Sequence, residues 1–455
     1  MQNEKNISIR FLLKGAILTG GTATLGQGLR LVTNIVLARL LAPELFGIMV
    51  IVNALRTGIE LVSDIGIGQN IIYHKHANDP DFYNTAWTLQ VIRSVCLWVI
   101  ALLLAAPFAR FYQIPILVYL VTSSGILLSG FTSVSTSLLL KRFQIAKHNA
   151  FDIVIALISS ANYLLFAYIW PTIWALVFAG LFTSIISMIG TYFLLPDVKQ
   201  RFYLSDRFVS EILHYGKWIF ASSIIYFLST NFDRLYFGKV IPLSQLGVYG
   251  IARSMSELVG LFVLRFGNYV LFPLISSNAH LPRSDLRRQF FPIRAKFLLL
   301  TALGFSVIAT TSDLLIKVFY DERYRAASWM LPLLLIGSWP SILAYLNEST
   351  LLGLGKSSYS AIANSAKFAF LLIGMPISVT ALGVFGGILV IALSDIFRYF
   401  PMLLGQRREQ FSFGLQDLLV TLVVVLLIAL WEWLRWMAGF GTSFESVPLE
   451  VYWPF

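Results

Sequence analysis

About thirteen runs of some twenty mostly apolar residues follow one another along the chain, and they restrict its fold most strongly. A helix of that length crosses the hydrocarbon core of a bilayer. Only 13% of the residues are charged, whereas a soluble domain has about 25%. The sequence therefore predicts an all-α polytopic membrane protein. The runs lie near 15–38, 44–66, 85–108, 114–138, 150–170, 171–195, 213–236, 243–272, 293–318, 328–352, 358–381, 383–404 and 416–437.

Basic residues between the runs predict the orientation of the chain. With the N-terminus in the cytoplasm, roughly 19 of the 34 lysines and arginines fall in cytoplasmic joints and roughly 8 in outer joints. Arg294 counts among the first group, and Arg39, Arg110 and Arg435 count among the second. This asymmetry favours a multi-pass protein with a cytoplasmic N-terminus, and it also explains the net charge of +11 without a nucleic-acid partner. The rest lie within runs: Arg30, Arg56, Arg93, Arg253, Arg265, Lys367 and Arg398.

One of these runs carries a stripe of charge. Arg56, Glu60 and Asp64 are spaced four residues apart, and Asn53 shares their face of the predicted helix. A charge at the bilayer centre costs about 2.5–3.5 kcal/mol on insertion scales. The stripe should therefore face other helices or a hydrated cavity, which indicates a protein that handles something polar inside the membrane.

The two halves of the chain resemble each other at an offset of 200 residues. Phe46-Gly47 falls on Leu246-Gly247, and Arg39 falls on Lys239. Each half holds six runs, and an even number of runs gives parallel repeats of the kind that enclose a substrate site in transporters. The predicted organisation is an N-terminal lobe, a cytoplasmic linker, a C-terminal lobe around a shared central cavity, and an additional C-terminal helix with its tail: 1–196, 197–212, 213–405 and 406–455.

Several segments resemble a known family. They are LARLLAPELFGIMVIV, DIGIGQNIIYHK and YNTAWTLQ in the first half, and NFDRLYFGKVIPLSQLGVYGIARSM in the second. They are similar to Wzx-type polysaccharide flippases of the multidrug/oligosaccharidyl-lipid/polysaccharide exporter superfamily. The resemblance implies transfer of undecaprenyl-diphosphate-linked oligosaccharide units from the inner to the outer leaflet of a bacterial inner membrane. The product would be exopolysaccharide, capsule or O-antigen (lipopolysaccharide), with a polymerase and a chain-length regulator as partners.

Polar residues in the runs allow three interpretations. Close spacing favours internal ion pairs within Arg56–Glu60, Arg253–Glu257 and Asp395–Arg398. Arginine also suits a diphosphate, because its planar fork forms two parallel hydrogen bonds; the candidates are Arg30, Arg56, Arg93 and Arg253. Buried carboxylates could couple transport to an ion, and the candidates are Glu60, Asp64, Asp152, Asp233 and Glu257. Lys367 and Arg398 lie nearer the cytoplasm and could instead extend to the interface.

Other functions have weaker support. A multidrug exporter of the same superfamily should carry acidic residues without compensating arginines, and a polymerase or ligase should carry a sizeable extramembrane loop. The longest joints here hold only about 20 residues between runs of span length. No GxxxxGK[ST] motif and no metal-ligand spacing occurs, so we expect no enzyme, no cofactor and no metal.

Overall fold

The computed structural model describes residues 9–62, 66–445 and 447. Within them the chain is helical and holds no strand. The helices are α1 Ile9–Leu40, α2 Pro43–Val62, α3 Ile67–Tyr73, α4 Pro80–Tyr112, α5 Ile116–Gly130, α6 Ser135–Lys141, α7 Ile145–Ile169, α8 Ile173–Tyr192, α9 Asp206–Val240, α10 Leu243–Phe266, α11 Phe272–Ser277, α12 Arg283–Phe319, α13 Ala327–Gly353, α14 Ser358–Arg408 and α15 Gly414–Met437.

In the part of the chain that the structure describes, each predicted run coincides with these helices over most of its length. Among the described residues, eight helices are long and apolar enough to cross a membrane, and the bent pair α5–α6 makes a ninth. Helix α14 holds 51 residues and covers two runs, because it breaks at Gly383 with φ 58° and ψ −144°. Only glycine adopts such a conformation readily. The prediction of an all-α, multi-pass membrane protein is confirmed.

The chain divides into two compact units. The first, Ile17–Gly247, is called the N-unit, and the second, Val248–Phe455 with Met1–Ala16, is called the C-unit. The predicted six-run lobes and their cytoplasmic linker remain a prediction.

Within the N-unit, the segment before α9 is held along α4 in an extended form. The backbone N–H groups of Arg201, Tyr203 and Ser205 donate to the side chains of Asn84, Thr88 and Thr85 at 2.8, 3.0 and 3.2 Å. Every second residue donates, as expected of an extended chain, in which the backbone N–H groups of alternate residues point to the same side. This part of the predicted linker is therefore fixed to α4 by side-chain acceptors. They take the place that the backbone carbonyls of a neighbouring strand have in a sheet.

The start of α2 meets the start of α10 through two glycines. A Cβ atom on Gly47 would collide with the carbonyl of Leu243, and one on Gly247 would collide with the carbonyl of Pro43. At the 200-residue offset Pro43 corresponds to Leu243, and Gly47 corresponds to Gly247. Gly47 therefore contacts the counterpart of Pro43, and Pro43 contacts the counterpart of Gly47. Only glycine permits two backbones to approach so closely.

Within the C-unit, α12 and α15 pack side by side. Gln416 donates to the carbonyl of Phe291 at 3.0 Å, and Trp431 donates to the Ser306 hydroxyl at 3.2 Å. Arg435 also donates to the carbonyl of Thr310. The sequence separation is 125 residues in all three bonds. The two helices therefore run parallel, as expected when α13 and the two parts of α14 form three spans between them.

Candidate functional site

The charged stripe on α2 forms the core of the candidate site in the N-unit. Arg56 Nε lies 3.9 Å from Glu60 Oε1, with 32% and 28% of the two side chains exposed. The predicted pair within the helix therefore exists, but its two atoms are far apart for an ion pair, and both side chains are partly exposed. Asn53 is exposed on the same helix. Asp64, the fourth member of the stripe, lies outside the described residues.

Helix α5 leaves room for the Arg56 guanidinium. A Cβ atom on Gly125 would lie 2.8 Å from Arg56 Nη1, so a larger residue there would displace the arginine. The Nε atom of Arg56 is buried and has no hydrogen-bond partner in the described part of the chain. A buried, unsatisfied donor of a charged group costs free energy unless a ligand or water satisfies it. Arg56 is therefore positioned by packing rather than by a saturating ion pair.

Arg56 lines a cavity of about 230 Å³ inside the N-unit. Four helices contribute to its wall: Asn53 and Arg56 from α2, Thr122 from α5, Ser159 and Tyr163 from α7, and Gly180, Thr183 and Ser184 from α8. A Cβ atom on Gly180 would lie 3.0 Å from the Tyr163 hydroxyl, so this glycine makes space for the tyrosine. The wall combines one guanidinium with several hydroxyl and amide groups, a composition that suits an oxygen-rich anionic ligand.

The other predicted N-unit arginines occupy different surroundings. Arg93 on α4 donates to the carbonyl of Glu60. Arg30 is exposed on α1, although its charge acts on Tyr163 at the cavity. Of the three, Arg56 is thus the arginine that the structure brings to the cavity wall.

The two remaining carboxylates predicted in the N-unit lie in opposite environments. Asp152 is 61% exposed and lies 3.3 Å from His148. Asp233 is buried on α9. Neither belongs to the cavity wall.

The C-unit holds a separate set of charges inside its helices. Arg253 and Glu257 form the predicted pair at 3.1 Å. Lys367 bonds to Asp395 at 2.7 Å. Arg398 bonds to Glu348 at 2.6 Å.

One prediction about this set is wrong. Lys367 and Arg398 do not extend to the interface, because both are buried with buried or half-buried carboxylate partners. Asp395 bonds to Lys367 and Arg398 bonds to Glu348, while the pairing of Asp395 with Arg398 stays a prediction.

Sequence reasoning missed two buried arginines that have buried carboxylate partners. The sequence places Arg294 and Arg435 in joints, but Arg294 is fully buried in α12 and forms an ion pair with Asp417 at 2.6 Å. Arg435 in α15 binds both carboxylate oxygens of Asp313, at 2.5 and 2.7 Å. The basic residues sit at the ends of apolar runs, where the sequence reads equally well as a joint. In the described residues, no three His, Cys, Asp or Glu side chains form a group that could hold a metal ion.

Comparison with known proteins gives a consistent result. The model of a family described as polysaccharide biosynthesis protein matches residues 36–328. The chain is 24% identical to the amylovoran biosynthesis protein AmsL of Erwinia amylovora over 269 residues, 58% of this chain and 69% of that protein. It is 22% identical to the succinoglycan biosynthesis transport protein ExoT of Rhizobium meliloti (strain 1021) over 302 residues, 65% of this chain but only 60% of ExoT.

A solved structure of the lipid II flippase MurJ, in an inward closed conformation, shares the fold. It superimposes with a TM-score of 0.72 at 12% identity, over 91% of this chain and 92% of that chain. The family resemblance predicted from the sequence is confirmed by the family match.

Proposed function

This chain belongs to the polysaccharide biosynthesis protein family, and from that premise we propose that it is a flippase for lipid-linked glycans. It moves undecaprenyl-diphosphate-linked oligosaccharide units from the inner to the outer leaflet of the bacterial inner membrane. It acts as a transporter and not as an enzyme, and it serves exopolysaccharide, capsule or O-antigen assembly. A polymerase and a chain-length regulator take over the product.

The observation that carries this proposal is an arginine in a cavity of the N-unit that is lined in part by polar groups. Arg56 presents an unsatisfied guanidinium donor beside hydroxyl and amide groups. Arginine matches oxyanions through two parallel charge-assisted hydrogen bonds. A glycan carried on a diphosphate supplies both the anion and the hydroxyl groups that such a wall can bind.

Alternating access provides the route. The two predicted lobes open in turn to the cytoplasm and to the outside, and the lipid tail stays in the bilayer while the polar part crosses. Arg30, Arg56, Arg93 and Arg253 are the proposed anion-binding residues. A membrane potential that is positive outside drives an anion outward with about 2.3 kcal/mol per charge and 100 mV.

Coupling of glycan transfer to an ion gradient adds to the driving force from the membrane potential. Partly buried carboxylates can exchange protons as their surroundings change. Glu60, Asp64, Asp152, Asp233 and Glu257 are the proposed coupling residues.

A liposome assay tests the transport step. The purified full-length chain is reconstituted with a labelled polyprenyl-diphosphate glycan, and exposure of the label on the far leaflet is measured with and without an ion gradient. We expect exposure that depends on the protein. Failure under both conditions would refute the proposal. If deletion instead changes drug susceptibility and leaves surface glycan intact, the chain is a multidrug exporter.

A pair of arginine variants tests the site. Arg56→Ala should impair glycan export more than Arg39→Ala at equal expression, because Arg56 lines the cavity and Arg39 does not. Export is measured in cells that lack the native protein, as surface glycan per cell. Equal losses in the two variants would contradict the role of Arg56.

A further inference from the structure

Two helices of the C-unit each carry a pair of adjacent arginines at the same end of the unit. Arg287 and Arg288 lie near the start of α12, and Arg407 and Arg408 are the last residues of α14. All four side chains are exposed. The first turn of α15, a few residues after α14, donates a hydrogen bond to the carbonyl of Phe291 in α12. The four arginines are therefore called the basic end of the C-unit.

The basic end lacks the carboxylates that would neutralise it. None of its four arginines forms an ion pair in the part of the chain that the structure describes. Glu409, the residue after α14, binds Lys356 at 3.2 Å. Asp285 is the single carboxylate in the first turns of α12. The surface thus has a net positive charge that is available to a partner.

Exposed apolar side chains begin a short distance from each arginine pair. Ile293 follows Arg288 by five residues, about 8 Å along the helix, and Leu404 precedes Arg408 by four residues, about 6 Å. Ile293 is 39% exposed and Leu404 is 54% exposed. The headgroup region of a bilayer adds roughly 5–8 Å to each side of the hydrocarbon core. When these apolar side chains lie at the edge of the hydrocarbon, the guanidinium groups therefore lie among the headgroups.

The chemistry and the predicted orientation both favour an anionic lipid as the partner. Guanidinium groups match phosphate oxygens through two parallel charge-assisted hydrogen bonds. The sequence predicts both arginine pairs for joints on the cytoplasmic side, and the cytoplasmic leaflet has the negative surface potential that attracts such residues. An acidic protein segment would match the charge as well, but it would not explain exposed apolar side chains so close to both pairs.

We infer that the basic end of the C-unit binds the phosphate headgroups of anionic phospholipids. Arg287 and Arg288 hold headgroups at α12, and Arg407 and Arg408 hold them at α14, while the acyl chains lie against the apolar side chains below. The surface uses none of the residues that are proposed to bind the glycan. It fixes this end of the C-unit at the level of the headgroups.

Lipid titration of the purified full-length protein in detergent micelles tests the inference. The probes are dioleoylphosphatidylglycerol, dioleoylphosphatidylcholine, inorganic phosphate and hexaglutamate, and the readout is the thermal unfolding midpoint. At low salt, phosphatidylglycerol should reach half of its effect at a concentration at least about fivefold lower than phosphatidylcholine, the factor expected of one arginine near an anionic surface. This preference should disappear at about 1 M salt, where the Debye length is about 3 Å.

Paired variants locate the surface. Arg287→Gln with Arg288→Gln should lower the preference for phosphatidylglycerol about fivefold or more, and replacing all four arginines by glutamine should abolish it. The matched control is Arg323→Gln with Arg325→Gln, which removes the same charge from the same unit. It should retain the preference, because both of these arginines already bind carboxylates, at 2.5 and 3.0 Å.

Several results would overturn the inference. They are equal effects of the two lipids at low salt, a preference that persists at about 1 M salt, and equal losses in the paired variant and its control. An effect of inorganic phosphate equal to that of phosphatidylglycerol would assign the surface to free anions. A larger effect of hexaglutamate would assign it to an acidic protein segment, and would equally overturn the inference.

Discussion

The carboxylate of Asp313 permits a quantitative prediction, because two cations of different burial share it. Asp313 is fully buried in α12, and Arg435 binds both of its oxygens at 2.5 and 2.7 Å. Lys317 lies 3.1 Å away on the same helix and is 39% exposed. Removing one partner of a buried ion pair costs about 3–5 kcal/mol, since it leaves a buried charge without compensation. Half-exposed pairs contribute about 0–1 kcal/mol.

Arg435→Met should therefore lower the free energy of unfolding by about 3 kcal/mol, the lower end of that range, because Lys317 remains near the carboxylate. The matched control Lys317→Met should lower it by less than about 1 kcal/mol. The double variant Asp313→Leu with Arg435→Met should recover most of the loss, since apolar replacement of a whole buried pair is often neutral. The assay is unfolding by SDS in mixed micelles, followed by far-UV circular dichroism. Equal losses for the two single variants, or a double variant less stable than Arg435→Met, would refute the reasoning.

Two further outcomes are expected. Gly47→Ile should separate the starts of α2 and α10, because its side chain would occupy the place of a backbone carbonyl. Cysteine cross-linking between the two helix starts should therefore fall. The control Gly28→Ala has open space around it and should leave cross-linking unchanged. Hydrogen bonds from Arg207, and then from His74, hold the pKa of Glu211 below its usual value. That contribution to stability is present above the ordinary glutamate pKa and disappears as the pH falls through the lowered pKa. The unfolding midpoint should therefore decline less steeply in acid for Glu211→Gln than for the parent protein, and parallel curves would contradict this role.

The sequence predicted the helices and the family well, because both signals are local. Apolar runs of span length have few alternatives in a bilayer, where backbone groups must bond within their own helix. Pairs one turn apart, such as Arg56–Glu60 and Arg253–Glu257, were also predictable, since their distance follows from helix geometry.

Contacts between residues that are far apart along the chain could not be predicted from a single sequence. The hydrogen bond between Lys367 and Asp395 joins residues 28 positions apart, and the ion pair between Arg294 and Asp417 depends on which helices become neighbours. Hydropathy assigns an arginine at the end of a run to a joint whether it faces water or a carboxylate on the next helix. The cavity at Arg56 was unpredictable for the same reason, because four helices supply its wall.

The parallel contact of α12 and α15 sets an order of events during synthesis. Arg435 follows Asp313 by 122 residues, so at about 5–20 residues per second the ribosome completes it about 6–24 s later. Throughout that interval α12 has entered the bilayer with a carboxylate whose principal partner does not yet exist. Lys317, one turn away, can neutralise Asp313 in the meantime. On this view Lys317, which stays 3.1 Å from Asp313 in the finished protein and contributes little to its stability, acts chiefly as the counter-ion of the carboxylate until α15 is in place.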